Sequence, residues 1–398
     1  MPATIQADND GESNIHKLSE YDLLIIFANL NDKSKVSASQ VCKDWKRIVY
    51  GMTSWREQPR CIKATANMEI VAPSLIERGI TEVSVSDSRD VPFGNWVDQL
   101  RITLRHQLSH LTRIMADSLV SLDLRNIKIT VHSRDVLRLF HRSELPKLNR
   151  LFLGPRFEVT EWTLRVIFQN CCNLQQLGMS DCRVINKKDS LRKIDLSKLQ
   201  ELSLPLSDID DEGCKNISEQ LPQLRALDLS RTCLRVCGLE HIAKLRNLYR
   251  LNLTACPYLR FTAIDILSEA RSPIRHLTTS IRPDLVMEHI GKSHLTVTHL
   301  TLNSWIHYAS DDGIAALLRH GHRHYRSLEI VKESKISSKG MIELVKGVDV
   351  LERLVISGED KTKLAKSVAA DEEIVRRMAK YLSNSVCRHF MLKENSRV

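Results

Sequence analysis

Aliphatic residues recur along most of the chain in the pattern L-x-x-L-x-L, and several copies precede an apolar run at helical spacing. Clear copies begin at Leu119, Leu148, Leu174, Leu199, Leu224 and Leu248, and weaker copies begin at Ile80, Ile274, Val297, Tyr325 and Leu351. From Leu119 onward, consecutive copies start 23 to 29 residues apart. A single unit of this size cannot bury its own apolar face, so the periodicity predicts stacked repeats that share one continuous core.

Two recurring positions predict how each repeat folds. The ninth position holds a small side chain that can bond to a turning backbone, at Cys182, Ser207, Thr232 and Cys256. A glycine then recurs 14 to 16 residues after the repeat start, at Gly213, Gly238, Gly313 and Gly340. These features resemble the cysteine-containing leucine-rich repeats. The resemblance implies an α/β solenoid of horseshoe shape, with parallel strands on its concave face and helices on its convex face.

The first sixty residues do not follow the repeat and instead show apolar positions at the spacing of short helices. Ser19 stands three residues before Asp22, a pairing that predicts a capping box at the start of the first helix. The sequence therefore predicts a small all-α domain before the solenoid.

The stretch from Leu18 to Trp55 resembles an F-box. Ten residues fall in the family's order without a gap: Leu18, Leu23, Leu24, Ile26, Phe27, Leu30, Val41, Cys42, Trp45 and Trp55. Three positions depart from the family pattern. Ser19 replaces a proline, Asp22 stands where an apolar residue is common, and Lys35 replaces a usual leucine. We expect these departures to weaken adaptor binding relative to a consensus F-box.

An F-box joined to leucine-rich repeats is similar to the substrate receptors of SCF (Skp–cullin–F-box) ubiquitin ligases. The resemblance implies that the F-box docks a Skp-family adaptor, which bridges to a cullin–RING ligase, while the repeats hold a protein substrate for ubiquitination and proteasomal degradation. It implies a non-catalytic subunit without cofactor or metal. The implied adaptor-binding residues are Leu18, Leu23, Leu24, Ile26, Phe27, Leu30, Val41, Cys42 and Trp45. Each of them has an alternative role in the F-box's own core.

These patterns divide the chain into five predicted segments. They are a disordered tail at 1–14, the F-box at 15–60, a connector at 61–78, the repeats at 79–370 and a C-terminal helix and tail at 371–398. In the last segment Ile374, Met378, Leu382 and Val386 are helix-spaced, which predicts a helix that caps the solenoid.

Residues that flank the inward leucines are expected to project from the concave strands, where a substrate would bind. The predicted substrate-binding residues are Arg125, Arg150, Phe152, Arg250, Asn252, His276, His299 and Arg353. Arginine grips carboxylate or phosphate through two hydrogen bonds, so the arginines predict an acidic or phosphorylated substrate segment. The alternative is that they are solvated surface arginines without a ligand.

The net charge of +10 is unevenly placed and raises a second functional hypothesis. Residues 101–156 carry 11 Lys and Arg against 4 Asp and Glu, a balance of +7. This excess favours an acidic partner and leaves open a basic scaffold that binds nucleic acid or an acidic partner outside an SCF complex. The segment lacks the interleaved aromatics that stack on bases, so nucleic acid is the weaker choice. No catalytic or phosphate-binding motif is complete, which argues against an enzyme.

The N-terminus carries no pattern typical of a secretory signal, and the early apolar run from Leu23 to Leu30 is too short for a membrane span. The ten cysteines are scattered, without the spacing of a disulfide framework or a zinc module. We therefore expect reduced thiols, no membrane partner, and a protein of the cytoplasm, the nucleus or both.

Overall fold

The structure is a computed structural model of the chain. It describes residues 18–51, 60–87, 96–141, 144–182, 184–186, 191–192, 194–270, 272–304, 306–319, 324–331, 335–348 and 350–356. The predicted tail at 1–14 and the predicted C-terminal helix at 371–398 lie outside these residues.

A single parallel sheet runs through the described part of the repeats, with its strands in sequence order from β1 to β12. The strands are β1 Arg60–Lys63, β2 Glu82–Ser86, β3 Ser121–Leu124, β4 Arg150–Leu153, β5 Gln176–Met179, β6 Glu201–Ser203, β7 Ala226–Asp228, β8 Arg250–Leu253, β9 His276–Thr279, β10 His299–Leu302, β11 Ser327–Ile330 and β12 Arg353–Ile356. Each strand pairs in parallel with the next strand along the chain, as a solenoid of stacked repeats requires.

Helices alternate with these strands. Among the residues described before β1, three helices are present: α1 Glu20–Ala28, α2 Asp32–Ser39 and α3 Lys43–Gly51. The repeats contribute α4 Met68–Glu77, α5 Trp96–Ile114, α6 Ser133–His141, α7 Glu161–Asn170, α8 Asp211–Gln220, α9 Val236–Ile242, α10 Thr262–Glu269, α11 Pro283–Lys292, α12 Asp311–Arg319 and α13 Ser338–Gly347. A short 3₁₀ helix, Val184–Asn186, takes the helical position of its repeat. The order of elements confirms an all-α domain followed by a leucine-rich-repeat solenoid.

Alternation along each short strand sends leucines into the core and polar residues to the other side of the sheet. In β4, Leu151 and Leu153 are buried while Arg150 and Phe152 remain partly exposed. Register aligns Leu122, Leu151 and Leu177 across three strands, so equivalent leucines stack into one row. The other side of the sheet carries the partly exposed residues, such as Arg150 and Phe152, and we call it the open face.

The ninth position of the repeats acts as predicted at the turn that follows each strand. Thr232 Oγ1 donates a hydrogen bond of 2.7 Å to the backbone oxygen of Leu229, and Cys256 Sγ approaches the same oxygen at 3.2 Å. The residue before the ninth position takes a left-handed backbone conformation in four successive repeats, at Asp181, Leu206, Arg231 and Ala255. Such residues cost about 1 kcal/mol each, and the buried bonds of the turn offset that strain.

The recurring glycines lie where helices of neighbouring repeats approach closely. A Cβ atom at Gly238 would lie 2.9 Å from Cys214 Sγ of the preceding helix. At Gly313 and Gly340 it would meet the carboxylates of Asp284 and Asp311. The glycines therefore let each helix pack against its neighbour, which explains their period in the sequence.

The sheet begins earlier than the sequence indicated. The predicted connector at 61–78 contains most of β1 and all of α4, and β1 pairs in parallel with β2. The pattern missed this unit because Arg60 and Lys63 surround one buried aliphatic residue, Ile62, instead of a run of leucines. The solenoid therefore starts at Arg60, which corrects the predicted start at residue 79.

Candidate functional site

The first helix starts at a capping box. Ser19 Oγ accepts a hydrogen bond of 3.2 Å from the Asp22 backbone N–H, and Asp22 Oδ2 accepts one of 3.1 Å from the Ser19 backbone N–H. These bonds satisfy two donors that the helix itself leaves without partners. The structure confirms the predicted cap, so Ser19 starts α1 without the family's proline.

An aromatic pair forms the centre of the small N-terminal domain. The ring of Phe27 on α1 meets the ring of Trp45 on α3 edge to face, with 4.9 Å between their centroids. Leu23, Ile48 and Val49 are buried beside them. Two residues predicted at the adaptor, Leu23 and Phe27, therefore belong to the core of this domain.

Helix α1 carries apolar side chains on its exposed side as well as its buried side, and its polar residues are Glu20 and Asp22 in the first turn. Leu23 and Phe27 occupy the buried face, while Tyr21 and Ile25 lie on the opposite face and are 71% and 48% exposed. Ile26 is 42% exposed on the same helix, and Val41 at the turn before α3 is 59% exposed. Several large exposed apolar side chains on one surface helix favour a surface that a partner covers. We call Tyr21, Ile25, Ile26 and Val41 the apolar patch.

The nine predicted adaptor residues divide into three groups by exposure. Leu23 and Phe27 are buried, Leu18, Leu24, Leu30 and Trp45 are half-buried, and Ile26, Val41 and Cys42 are exposed. Tyr21 and Ile25 were missed because they are not among the matched F-box positions. Helical periodicity reveals them, because they stand four residues apart and opposite the buried pair.

Two departures from the F-box pattern have different surroundings. Asp22 is exposed, and its carboxylate accepts a 2.6 Å hydrogen bond from the Ser19 hydroxyl. Lys35 on α2 is 8% exposed, so most of its side chain lies within the domain where the family pattern has leucine. Asp22 therefore changes the surface beside the apolar patch, whereas Lys35 changes the interior.

Polar contacts join the N-terminal domain internally and to the first repeat. Arg47 on α3 donates two hydrogen bonds of 2.9 Å to the carboxylate of Glu20 on α1. The same hydrogen bonds, and then the charge of Arg47, lower the pKa of Glu20. Lys46 pairs with Glu77 of α4, and Arg78 lies over the ring of Tyr50 at 5.2 Å. The apolar patch is therefore carried by a domain that contacts the solenoid.

The open face brings the predicted substrate residues onto one surface, but three of its four arginines are bonded to carboxylates of the same chain. Arg125 donates to Asp123 at 2.7 and 3.0 Å, Arg353 donates to Glu329 at 2.6 Å, and Arg150 pairs with Glu82. Arg250 has only a longer contact of 4.0 Å with Glu201. Three arginines are therefore neutralised within the face, in line with the alternative of arginines without a ligand.

An aromatic platform lies at β4. Phe152 is aligned with Gly178 of β5, and a Cβ atom at Gly178 would come within 2.6 Å of the Phe152 ring. The guanidinium of Arg125 covers the same ring at 4.7 Å. Phe152 is thus packed between a glycine and a neutralised arginine, which restricts the ring available to a ligand.

Asn252 also lies on the open face, on the same strand as Arg250, and His276 and His299 follow on the next two strands. His276 is aligned with both Arg250 and His299, and the two imidazoles stack with 3.9 Å between centroids. Strands β8 to β10 therefore bring together the remaining predicted residues.

Much of the basic segment at 101–156 lies away from the open face. Arg101 and Arg105 are on α5, where they contact His132 and Asp135 of the next repeat. His132 in turn contacts Glu158 at 2.9 Å. The charge excess of this segment is therefore spread over helices and their contacts and does not form the strand surface.

Burial argues against a nucleophilic role for Cys171. It is fully buried, and burial raises the pKa of its thiol to about 12. Among the residues that the structure describes, no three His, Cys, Asp or Glu side chains are arranged to hold a metal ion. No helix within the described ranges is long and apolar enough to cross a membrane.

Comparison with known proteins confirms the F-box assignment, because residues 15–57 match the family model of the F-box domain. No curated protein matches the chain. An internalin (inlF) from Listeria monocytogenes is 13% identical, with a TM-score of 0.38 over 72% of this chain and 70% of its own. A chain of the yeast Rad7 and Elc1 complex is 15% identical, with a TM-score of 0.45 over 93% and 91%. A chain of the mouse RP105/MD-1 complex is also 15% identical, with a TM-score of 0.39 over 78% and 58%. These solved structures resemble the chain in fold alone.

Proposed function

We propose that this chain is the substrate-recognition subunit of an SCF E3 ubiquitin ligase. Its F-box docks a Skp-type adaptor that bridges to a cullin–RING ligase, and its repeats hold a protein substrate for ubiquitination and proteasomal degradation. The subunit itself contributes no chemistry, because it acts by raising the local concentration of the substrate and fixing its orientation. We further propose that it acts in the cytoplasm, the nucleus or both.

The observation that carries the proposal is the apolar patch within the F-box match. Tyr21 is 71% exposed and Val41 is 59% exposed, on a domain whose core is already complete around Phe27. Large exposed apolar side chains on a small domain favour a protein partner that buries them. The half-buried residues Leu24 and Trp45 keep some exposed surface and belong to the proposed contact.

The solenoid supports the substrate half of the proposal. Twelve parallel strands give an extended open face of alternating side chains, and stacked repeats commonly use such faces for binding. The intramolecular pairs of Arg125, Arg150 and Arg353 make these positions weaker candidates for gripping a phosphate than Arg250. The alternative scaffold that binds nucleic acid is favoured by no specific contact on this face.

Co-expression of the full chain with a Skp-type adaptor tests the proposal. We expect a one-to-one complex by light scattering, which a cullin–RING assembly then enlarges. Separate elution of a folded chain and the adaptor, at concentrations where consensus F-box proteins bind, would contradict it. Circular dichroism of the chain alone establishes that it is folded in either case.

A further inference from the structure

The open face changes in chemical character across three neighbouring strands. The strands β8, β9 and β10 contain no carboxylate, whereas β7 and β11 carry Asp228 and Glu329 on the open face. In place of acids, the three strands present two rows of hydrogen-bonding side chains. One row is Arg250, His276 and His299, and the other is Asn252, Thr278 and Thr301.

The first row is continuous because strand register aligns its members. Arg250 is the partner of His276, which is the partner of His299, so the three Cα atoms step across neighbouring strands. Strands lie about 4.8 Å apart, which makes the row about 10 Å long. The imidazoles of His276 and His299 stack almost parallel, with an angle of 5° between their planes. The row thus presents one guanidinium and two imidazoles side by side.

Arg250 keeps N–H donors that are not bonded to a carboxylate, unlike Arg125, Arg150 and Arg353. Its contact with Glu201 is 4.0 Å, longer than a hydrogen bond, and its Nη2 lies 3.3 Å from the hydroxyl oxygen of Tyr249. Half of its side chain is exposed. A guanidinium in this position can turn its fork towards an incoming anionic oxygen.

We propose that the row of Arg250, His276 and His299 binds the anionic oxygens of an acidic, extended segment of a protein substrate. Asn252, Thr278 and Thr301 bond to polar groups along the same segment. The assignment of the bound protein as a ligase substrate rests on the proposed function. Carboxylates and phosphates both supply anionic oxygens, and peptides that carry one or the other distinguish them.

The limits of the row favour a peptide over a nucleic acid. Glu201 on β6 has the same register position as the row and lies two strands from Arg250, whereas Asp228 on β7 and Glu329 on β11 flank the second row. A row of about 10 Å accommodates one or two acidic side chains. The regularly spaced phosphates of a nucleic-acid strand would extend past these carboxylates and meet repulsion.

The imidazole of His276 makes this binding dependent on pH. Burial, then His299 and then Arg250 lower the pKa of His276, so the free protein holds this ring neutral at neutral pH. Tyr249 and Arg250 face it from the β8 side, His299 from β10, while Asp228 and Glu329 lie one strand further out on each side. A bound anion favours the charged imidazole and raises its pKa. Binding therefore takes up protons, and affinity rises as the pH falls.

Fluorescence anisotropy with a labelled peptide of alternating glutamate and glycine tests the proposal on the full chain. We expect tighter binding at about pH 6 than at about pH 7.5, and no binding of the glutamine version. Arg250→Gln should weaken binding about tenfold. His276→Asn should remove the pH dependence. Lys339→Gln, which removes a positive charge that is 84% exposed on α13, is the control and should leave affinity within twofold of wild type.

Further measurements identify the anion and distinguish a failure of this proposal from a failure of the proposed ligase function. A phosphoserine peptide that binds more tightly through the same three residues identifies phosphate as the source of the oxygens. Absence of binding to both acidic peptides, equal loss in Lys339→Gln and Arg250→Gln, or an oligonucleotide that binds the row while peptides do not would overturn the proposal. Adaptor binding is measured on the same variants. If Ile26→Asp loses adaptor binding but keeps peptide binding, the defect is confined to the F-box.

Discussion

Phe27 and Trp45 meet edge to face, with 63° between their ring planes, and join the first and third helices of the F-box. Phe27 is 1% exposed, so it presents almost no surface to a partner. Both residues belong to the F-box signature, yet their mutual contact shows that part of this signature maintains the domain itself. The buried Phe27 that maintains the domain is therefore distinct from the exposed side chains of the apolar patch.

Substitution of Phe27 should act on folding. Phe27→Ala removes a buried ring and leaves a cavity, which should reduce the free energy of unfolding of the F-box by about 3–5 kcal/mol. Hydrogen exchange of α1 and α3 measures this loss directly. Val41→Ala is the control, since its exposed side chain should change the same quantity by less than about 1 kcal/mol. Unchanged protection of α1 in Phe27→Ala would show that the aromatic pair is not the core.

The fold was largely predictable because the buried leucines and the close-packed glycines that define it recur at a regular period in the sequence. Leucines such as Leu151 and Leu177 repeat at the spacing that burial demands, and Gly313 repeats where helices meet. The first unit escaped prediction because Ile62 is buried without neighbouring leucines. On the candidate site, sequence located the F-box and the open face. It did not reveal which arginines are neutralised, because Arg150 and Glu82 lie far apart in sequence and meet only through the stacked strands.

Close packing between α11 and α12 depends on Gly291. A Cβ atom there would lie 2.8 Å from the backbone oxygen of Ala316, and a backbone atom cannot move aside as a flexible side chain can. Gly291→Ala should therefore destabilise the solenoid by about 1–3 kcal/mol, measured by urea denaturation. Gly51→Ala is the matched control, because a Cβ atom at Gly51 meets nothing within 4 Å. Equal stability of the two variants would show that the helices can separate without cost.

A carboxylate also links neighbouring repeats. Asp284 on α11 accepts hydrogen bonds from the Ser310 backbone N–H at 2.8 Å and from its hydroxyl at 2.7 Å. Asp284→Ala removes both bonds and should reduce the free energy of unfolding by about 1–3 kcal/mol. Asp312→Ala, at an exposed position of α12, should change it by less than about 0.5 kcal/mol. A smaller loss for Asp284→Ala than for Asp312→Ala in thermal denaturation would contradict this role.

Buried thiols predict a loss of stability at alkaline pH. Burial raises the pKa of Cys171 and of Cys214 to about 12, and that of Cys182 to about 11, each from 9.0. Each thiol has a higher pKa in the folded chain than in the unfolded chain. Its contribution to the free energy of unfolding is therefore complete below pH 9 and is lost as the pH rises from 9 towards the pKa of the folded state. Each thiol should contribute a slope of about 1.4 kcal/mol per pH unit in that range.

Urea denaturation between about pH 8.5 and pH 10.5 measures this slope. Cys171→Ala should reduce it, whereas Cys172→Ala is the control, since Cys172 is exposed. An identical slope in the wild type and Cys171→Ala would mean that the thiol does not carry the effect.

The affinity of the full chain for a Skp-type adaptor, measured by isothermal titration, tests the account most directly. We predict that the wild type binds with one-to-one stoichiometry and that Ile26→Asp or Val41→Asp weakens binding at least about tenfold. Ile70→Asp is the matched control, because this isoleucine is 72% exposed on α4, outside the F-box, and should leave affinity unchanged. Wild-type affinity in both F-box variants, or no adaptor binding by a folded wild type, would contradict the assignment of the apolar patch as the adaptor surface.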